Sequence, residues 1–147
     1  MFRIYLDTCA WGRPFDEHSQ MRIKEESEAF FQILHELDAG RVAIIGSVVL
    51  EDEVTRIKNG EKREAVSKLI EWSISEKVVD IPSLYAEIKK LGLKTRDSAH
   101  LACAIYGRAE YFITVDDAIL RRKDEIKKFN ITVLSPVEFI KFIREAE

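Results

Sequence analysis

Runs of apolar residues alternate along the chain with segments in which apolar residues recur every three or four positions. The first pattern is typical of strands buried on both faces, and the second of helices with one buried side. The first run, Phe2–Leu6, ends abruptly at the acidic residue Asp7. The predicted strands span Phe2–Leu6 and residues 42–46, 78–81, 111–114 and 131–134.

Segments with helical spacing lie between and after these runs. Ser47 is a natural N-cap for one helix, Gly92 supplies a left-handed stop after another, and Ser135 with Glu138 has the spacing of a capping box. The predicted helices span residues 22–37, 48–58, 61–75, 84–91 and 96–106, with a short basic helix at 121–123 and a last helix from 136 onward.

Strands that alternate with helices are typical of an α/β protein. We expect a three-layer α/β/α sandwich with a central, mainly parallel five-stranded sheet, and one domain over residues 1–147. The 96–106 helix is rich in small residues and should lie centrally against the sheet, whereas the short run 78–81 should lie near an edge. The buried side of the 61–75 helix should hold Ala65, Leu69 and Trp72.

Composition narrows the class of protein. The net charge is −3 with 33% charged residues, so an anionic partner would need a local basic patch or bound cations. The two cysteines, Cys9 and Cys103, lack the spacing of a zinc site. Without an evident signal peptide, or an apolar run near the ~18 residues of a membrane span, we expect a cytoplasmic protein with no membrane association.

Acidic residues stand where several predicted elements would meet. Asp7 and Asp116 follow the first and fourth strands, Glu53 lies on the helix after the second strand, and Asp97 lies in the first turn of the 96–106 helix. These positions share the carboxyl edge of a parallel sheet, where ligands bind. Two carboxylates 4 Å apart repel by about 4 kcal/mol at an effective dielectric constant of 20. Converging acids would therefore need protonation or a divalent cation.

All-oxygen ligands favour Mg²⁺ or Mn²⁺. Such an ion in an acidic pocket can bind a phosphate oxygen and activate water, which is phosphodiester chemistry. The competing interpretation is that these acids are helix caps and solvated surface charges, because Asp and Glu together number 26. Asp7 in particular could merely cap the turn after its strand.

Four segments together resemble the acidic motifs of the PIN-domain ribonuclease family. They are residues 5–9 (YLDTC), 47–54 (SVVLEDEV), 96–104 (RDSAHLACA) and 113–117 (ITVDD). The sequence is most similar to small single-domain prokaryotic members, which include the toxins of VapBC-like toxin-antitoxin pairs. The resemblance covers essentially the whole chain. It implies a PIN-like α/β/α nuclease that cleaves RNA with Mg²⁺ or Mn²⁺, often as a homodimer, and it allows an antitoxin protein as a partner.

The resemblance also implies roles for individual acids. Asp7, Asp97 and Asp116 match the first, third and fourth acidic positions of the family, and are expected to be catalytic residues and metal ligands. Glu53 is the preferred match for the second position and Glu51 the reserve.

Helix geometry supports the preference for Glu53. On a helix, Glu53 shares a side with Leu50 and Ile57 and so points toward the sheet, whereas Glu51 is rotated by about 160° from it. Asp117 is a further candidate ligand, with capping of the short helix as its alternative role.

Neighbouring side chains complete the predicted site. Thr8 and Thr114 are expected to hydrogen-bond the metal-binding carboxylates, or else to cap turns. His100 is interpreted as a core histidine with its hydrogen bonds satisfied rather than as a metal ligand. Cys9 is interpreted as a small buried residue rather than a nucleophile. The residues proposed to contact RNA are Arg13, Arg96, Arg121 and Arg122 for phosphates, and Trp11 or Phe15 for an unpaired base.

The leading hypothesis is thus a metal-dependent endoribonuclease. A DNA flap-type nuclease and a phosphatase on a similar sheet are the enzymatic alternatives. The non-enzymatic alternative is an inactive PIN fold that binds protein or RNA. Acids in all four motifs weigh against the inactive form.

Overall fold

The computed structural model describes residues 1–146, whose strands form one five-stranded sheet flanked by helices. The strands are β1 (Phe2–Leu6), β2 (Val42–Ser47), β3 (Ile74–Val78), β4 (Tyr111–Ile113) and β5 (Thr132–Leu134). The α-helices of these residues are α1 (Thr8–Gly12), α2 (Met21–Asp38), α3 (Val48–Thr55), α4 (Gly60–Ser73), α5 (Tyr85–Lys89), α6 (Thr95–Tyr106), α7 (Asp117–Leu120), α8 (Lys123–Ile126) and α9 (Pro136–Glu145). None of these helices is both long enough and apolar enough to cross a membrane.

The sheet is parallel throughout, with the strand order β3-β2-β1-β4-β5. β1 is the central strand, and its residue Tyr5 pairs with Ile45 on one side and Phe112 on the other. The predicted α/β/α architecture with a parallel five-stranded sheet is therefore confirmed. β3 lies at an edge of the sheet, the place expected for the third strand.

Two apolar cores lie on opposite faces of the sheet, because successive strand residues point to opposite sides. Ile4 and Leu6 of β1 pack into the core beneath α2, α4 and α9. Tyr5, between them, packs into the other core against α6. All three side chains are fully buried, which accounts for the nearly continuous apolar run that predicted this strand.

The prediction was wrong in detail around α4 and β3. The helix ends at Ser73 and passes directly into β3, so that the strand spans Ile74–Val78 instead of residues 78–81. The reason is that the polar residues of β3 have partners: Glu76 pairs with Arg3 at 2.8 Å, and Lys77 pairs with Glu51 at 2.9 Å. An edge strand can carry such residues because only one of its sides is paired within the sheet.

The buried side of α4 also differs from the prediction. Val66 and Ile70 are its buried apolar residues, while Trp72 is 77% exposed. Ala65 and Leu69 are only partly buried. The apolar stripe is therefore rotated by about one residue from the predicted one.

Helix boundaries were predicted best where the caps are strong. Ser47 accepts a hydrogen bond from the Leu50 N–H, and Ser135 with Glu138 forms a complete capping box. The helices predicted over residues 84–91 and 96–106 are α5 and α6, whose cap residues, Leu84 and Lys94, make no side-chain hydrogen bond to the helix. The single short helix expected at residues 121–123 is instead the pair α7 and α8.

The orientation of α4 gives a test of the fold. Trp72→Ala should change the free energy of unfolding by no more than about 0.5 kcal/mol, because the exposed ring makes no core packing. Trp11 is fully buried and its indole N–H donates to the Leu6 carbonyl oxygen at 3.1 Å, so Trp11→Ala should cost about 3–5 kcal/mol. Urea unfolding measures both variants. Equal losses would contradict this orientation of α4.

Candidate metal centre

The carboxyl edge of the sheet brings the predicted acids together. Asp7 directly follows β1, and Asp116 follows the neighbouring strand β4. Glu53 comes from α3, which begins at the end of β2, and Asp97 from the first turn of α6. Because β2, β1 and β4 are adjacent, their carboxyl ends meet at one place. We call Asp7, Glu53, Asp97 and Asp116 the acidic centre.

Asp7 is almost completely buried, with 5% of its surface exposed. Its Oδ1 accepts a hydrogen bond from the Thr8 N–H at 2.8 Å, so Asp7 does cap α1. Its Oδ2 accepts from Thr114 Oγ1 at 2.9 Å and from Cys9 Sγ at 3.4 Å. The cap interpretation is thus correct for one oxygen, but it leaves a buried carboxylate facing the other acids.

Thr114 connects two acids of the centre. Its fully buried hydroxyl donates to Asp7 Oδ2 and accepts from the Asp116 N–H at 3.0 Å. Asp116 in turn caps α7 by accepting from the Ala118 N–H at 2.8 Å. One side chain therefore fixes the spacing between the ends of β1 and β4.

Burial raises the pKa of the neighbouring Cys9 thiol, which favours the protonated, non-nucleophilic form.

Glu53 has donors on both carboxylate oxygens. Oε1 accepts from Thr8 Oγ1 at 2.7 Å and bonds His100 Nε2, and Oε2 accepts from Arg96 Nη1 at 3.1 Å. Burial raises the pKa of Glu53, but the hydrogen bonds from His100 and Thr8 and the charge of Arg96 outweigh it and lower the pKa to about 2. Glu53 is therefore ionised at neutral pH.

His100 is fully buried and both ring nitrogens have partners, as expected of a core histidine. Nδ1 bonds the Tyr5 hydroxyl at 2.6 Å, and that hydroxyl bonds Ser47 Oγ at 2.6 Å. Since an ionised carboxylate cannot donate, Nε2 must carry the proton that it shares with Glu53. In this arrangement, His100 orients Glu53 and has no Nε2 lone pair to offer a metal.

The pKa of Asp97 reflects its burial and the negative charge of the acidic centre. Burial raises its pKa first, and the nearby carboxylates of Asp7 and Asp116 raise it further, to about 6. His100 and Lys94 offset only part of this effect. A cation among these acids would remove the repulsion.

The donor groups fit a metal ion. One carboxylate oxygen of Asp7, one of Glu53 and one ring nitrogen of His100 all lie within 4.8 Å of one another. His100 Nε2 and Asp7 Oδ1 are 3.7 Å apart. With Nε2 protonated, the oxygens of Asp7 and Glu53 are the ligands that remain, and carboxylate oxygens suit a hard divalent cation.

The two further candidate ligands, Glu51 and Asp117, form ion pairs outside the acidic centre. Glu51 is exposed and pairs with Lys77 at 2.9 Å. Asp117 forms a two-point ion pair with Arg22, at 2.8 and 2.9 Å, and it is Asp116 that caps α7. Thr8 and Thr114 both hydrogen-bond carboxylates of the centre.

The basic and aromatic residues expected to contact RNA divide into two groups. Arg13 is paired with Glu26 and Asp16, and Arg122 bonds the Leu91 carbonyl oxygen and Glu125. Trp11 is fully buried, so it was wrongly considered for base stacking. The side chains that remain accessible are Arg96 (68% exposed), Arg121 (exposed) and Phe15 (41% exposed).

Sequence reasoning missed Arg22 and Glu26, which lie beside the acidic centre. The two residues are four positions apart on α2, a spacing that permits an ion pair, and their atoms are 3.2 Å apart. That spacing is too common to mark a site. The contact of Arg22 with Asp117 joins residues 95 positions apart and could not be deduced from the local pattern.

Comparison with known proteins bears on the fold. No protein-family model matches the sequence, and no curated protein matches it. A chain of the crystal structure of VapBC2 from Rickettsia felis, bound to a DNA fragment from their promoter, is similar in structure, with a TM-score of 0.61 and 16% sequence identity. The similarity covers 91% of this chain and 98% of that chain. The protein has a PIN-like fold. At 16% identity, this similarity concerns the fold alone.

The raised pKa of Asp97 predicts how the stability of the metal-free protein depends on pH. Asp97 has a pKa of about 6 in the folded protein, against about 3.9 in an unfolded chain. Its ionisation therefore opposes folding: the penalty is absent below about pH 4, grows as the pH rises and is complete above about pH 6. Asp97→Asn should accordingly raise the melting temperature in chelator near pH 7.5, and change it little near pH 4.

The control for this measurement is Asp80→Asn, which removes an exposed carboxylate outside the centre. Its melting temperature should follow that of the wild type at every pH. A difference between Asp97→Asn and the wild type that did not vary with pH would contradict the electrostatic origin of the effect.

Proposed function

We propose that the protein is an endoribonuclease that hydrolyses RNA phosphodiester bonds with Mg²⁺ or Mn²⁺ at the acidic centre. The observation that carries the proposal is the convergence of acids at the carboxyl edge of the sheet: Asp7 is buried, and the Thr114 hydroxyl bonds both its carboxylate and the Asp116 N–H. Burial and the charges of Asp7 and Asp116 also raise the pKa of Asp97. Such a pocket is destabilising for a protein without a compensating cation. The PIN-like fold and the resemblance of all four acidic segments support the same conclusion.

Each acid has a role in this proposal. Asp7, Asp97, Asp116 and Glu53 would bind the ion, with Glu53 presenting Oε2, since its Oε1 is already bonded to Thr8 and His100. When bound, the ion supplies a Lewis acid for a phosphate oxygen and for the attacking water. Thr8 and Thr114 fix the orientation of the carboxylates by donating to Glu53 and Asp7.

Arg96 is the basic residue best placed to meet RNA at this centre. Its side chain is 68% exposed, and its guanidinium bonds Glu53 Oε2, the oxygen that the ion would use. Loss of that bond would free Arg96 for a backbone phosphate. Exposed Arg121, four residues after Asp117, is the second candidate. These contacts are suited to single-stranded or looped RNA.

We also propose a cytoplasmic toxin role with an antitoxin protein as partner, and a homodimer as the assembled form. The support is the sequence resemblance to toxins of VapBC-like pairs, together with the similarity in fold to a chain of VapBC2. Co-purification with the product of a neighbouring small gene tests the partner, and sedimentation of the pure protein tests the dimer.

Digestion of a single-stranded RNA tests the reaction. Wild-type protein should cleave the RNA in Mn²⁺ and not in chelator, and Glu53→Gln or Asp97→Asn should lose more than about 100-fold in rate, since even changes to residues that orient ligands cost 10- to 100-fold in metal affinity. Glu51→Gln is the matched control, because Glu51 pairs with Lys77 outside the centre. Its rate should equal that of the wild type.

The same assay separates the alternatives. Cleavage of a matched DNA strand in preference to RNA would favour a flap-type nuclease, and hydrolysis of a small phosphomonoester a phosphatase. Metal-independent cleavage would exclude the proposed mechanism. Failure to cleave any RNA would favour an inactive PIN fold that binds protein or RNA.

Thr114 gives an independent test of metal binding. Thr114→Val keeps the side-chain shape but removes the hydrogen bonds to Asp7 and from the Asp116 N–H. Affinity for Mn²⁺, measured calorimetrically without RNA, should fall by about 10- to 100-fold. The control is Thr132→Val on β5, whose hydroxyl makes no hydrogen bond within residues 1–146. If the two folded variants bound Mn²⁺ equally, Thr114 would have no role in orienting ligands.

A further inference from the structure

A line of alternating charges runs from α7 to α4 beside the acidic centre. Consecutive members of the line contact each other at distances between 2.8 and 3.2 Å. In order, the line consists of Asp117, Arg22, Glu26, Arg13, Asp16 and Lys62. Glu26 is its most buried member, with 4% of its surface exposed.

Arg22 contacts the chain on both sides of Asp116. Its Nη2 donates to the Val115 carbonyl oxygen at 3.0 Å and to Asp117 Oδ1 at 2.8 Å, and its Nη1 donates to Asp117 Oδ2 at 2.9 Å. The planar guanidinium thus bonds the residue before Asp116 and the residue after it. Such a two-point contact restricts direction as well as distance.

Glu26 fixes the guanidinium in turn. Its Oε2 accepts from Arg22 Nε at 3.2 Å, and its Oε1 accepts from Arg13 Nε at 2.9 Å. A buried carboxylate is costly unless both oxygens are paired, so Glu26 constrains both arginines. The arrangement connects the loop that carries Asp116 rigidly to the first turns of α2.

We propose that Arg22, held by Glu26, is a positioning residue that fixes Asp116 in the acidic centre for metal binding. The inference rests on the proposed function, because it concerns the metal of that same site. It also assigns neighbouring acids to different tasks: Asp116 faces the centre, and Asp117 serves as the anchor for Arg22. Asp117 is then not a metal ligand.

The test is a Mn²⁺ titration of the full chain without RNA, followed by the electron paramagnetic resonance signal of free Mn²⁺. Arg22→Gln should weaken Mn²⁺ binding by about 10-fold, the smaller effect known for residues that orient ligands. Arg22→Lys should weaken it nearly as much, since one ammonium group cannot bond both Asp117 oxygens and the Val115 carbonyl. Full recovery in Arg22→Lys would show that charge alone matters and would overturn the proposal.

The chain offers a matched control pair. Arg56 and Asp52 form an exposed ion pair on α3 at 3.1 Å. Arg56→Gln and Asp52→Asn make the same changes of charge as Arg22→Gln and Asp117→Asn, and should leave Mn²⁺ affinity unchanged. If Arg22→Gln does not fold, Asp117→Asn replaces it, because Asp117 is exposed. We expect a several-fold loss in Asp117→Asn, and no loss would overturn the proposal.

RNA cleavage distinguishes positioning from direct contact with substrate. At saturating Mn²⁺, Arg22→Gln should regain most of its kcat and keep the wild-type KM for RNA. A raised KM with unchanged Mn²⁺ affinity would instead make Arg22 a phosphate-binding residue and overturn the proposal.

Failure of the inference can be told from failure of the proposed function. If the wild type binds Mn²⁺ and Arg22→Gln binds it equally well, only the positioning role is excluded. If the wild type binds no Mn²⁺ and cleaves no RNA, the proposed function fails and this inference fails with it.

Discussion

Repulsion among carboxylates at the carboxyl edge of the sheet is the constraint on which the acidic centre depends. The strand order places β4 directly beside β1, so Asp7 and Asp116 must end close together. Asp97 joins them from α6, where burial and then the charges of Asp7 and Asp116 raise its pKa. If stability of the metal-free protein were the sole constraint, these carboxylates would lie farther apart. Their proximity in a partly buried pocket is the physical basis for expecting a cation there.

Hydrogen bonds around the acids hold their side chains in these positions. Thr114 bonds both Asp7 and the backbone of Asp116, so it fixes one pair of acids. On the other side, Tyr5 bonds His100, which bonds Glu53. Tyr5 belongs to the central strand, so the orientation of Glu53 on α3 is determined by the core of the sheet. Buried polar networks of this kind tolerate little change, because each member satisfies another.

Ion pairs outside the centre separate residues that look equivalent in the sequence. Asp116 and Asp117 are adjacent acids, but one caps α7 beside Thr114 and the other pairs with Arg22. Glu51 and Glu53 are two positions apart on α3, but only Glu53 points inward. The side of α3 on which Glu53 lies could be predicted, because helical periodicity depends on neighbouring residues alone. The partner of Asp117 could not, because it lies on a distant helix.

Local sequence patterns were enough to predict the α/β class, the parallel five-stranded sheet, the strong helix caps and the four acidic segments. These features depend on local periodicity, capping chemistry and strand ends, which neighbouring residues encode. The position of β3, the buried side of α4, the burial of Trp11 and the ion pairs of Arg22 became known from the three-dimensional structure. Each of these depends on contacts between residues far apart in the chain, such as Arg3 with Glu76. Local patterns carry no information about such partners, so long-range packing and charge pairing decided them.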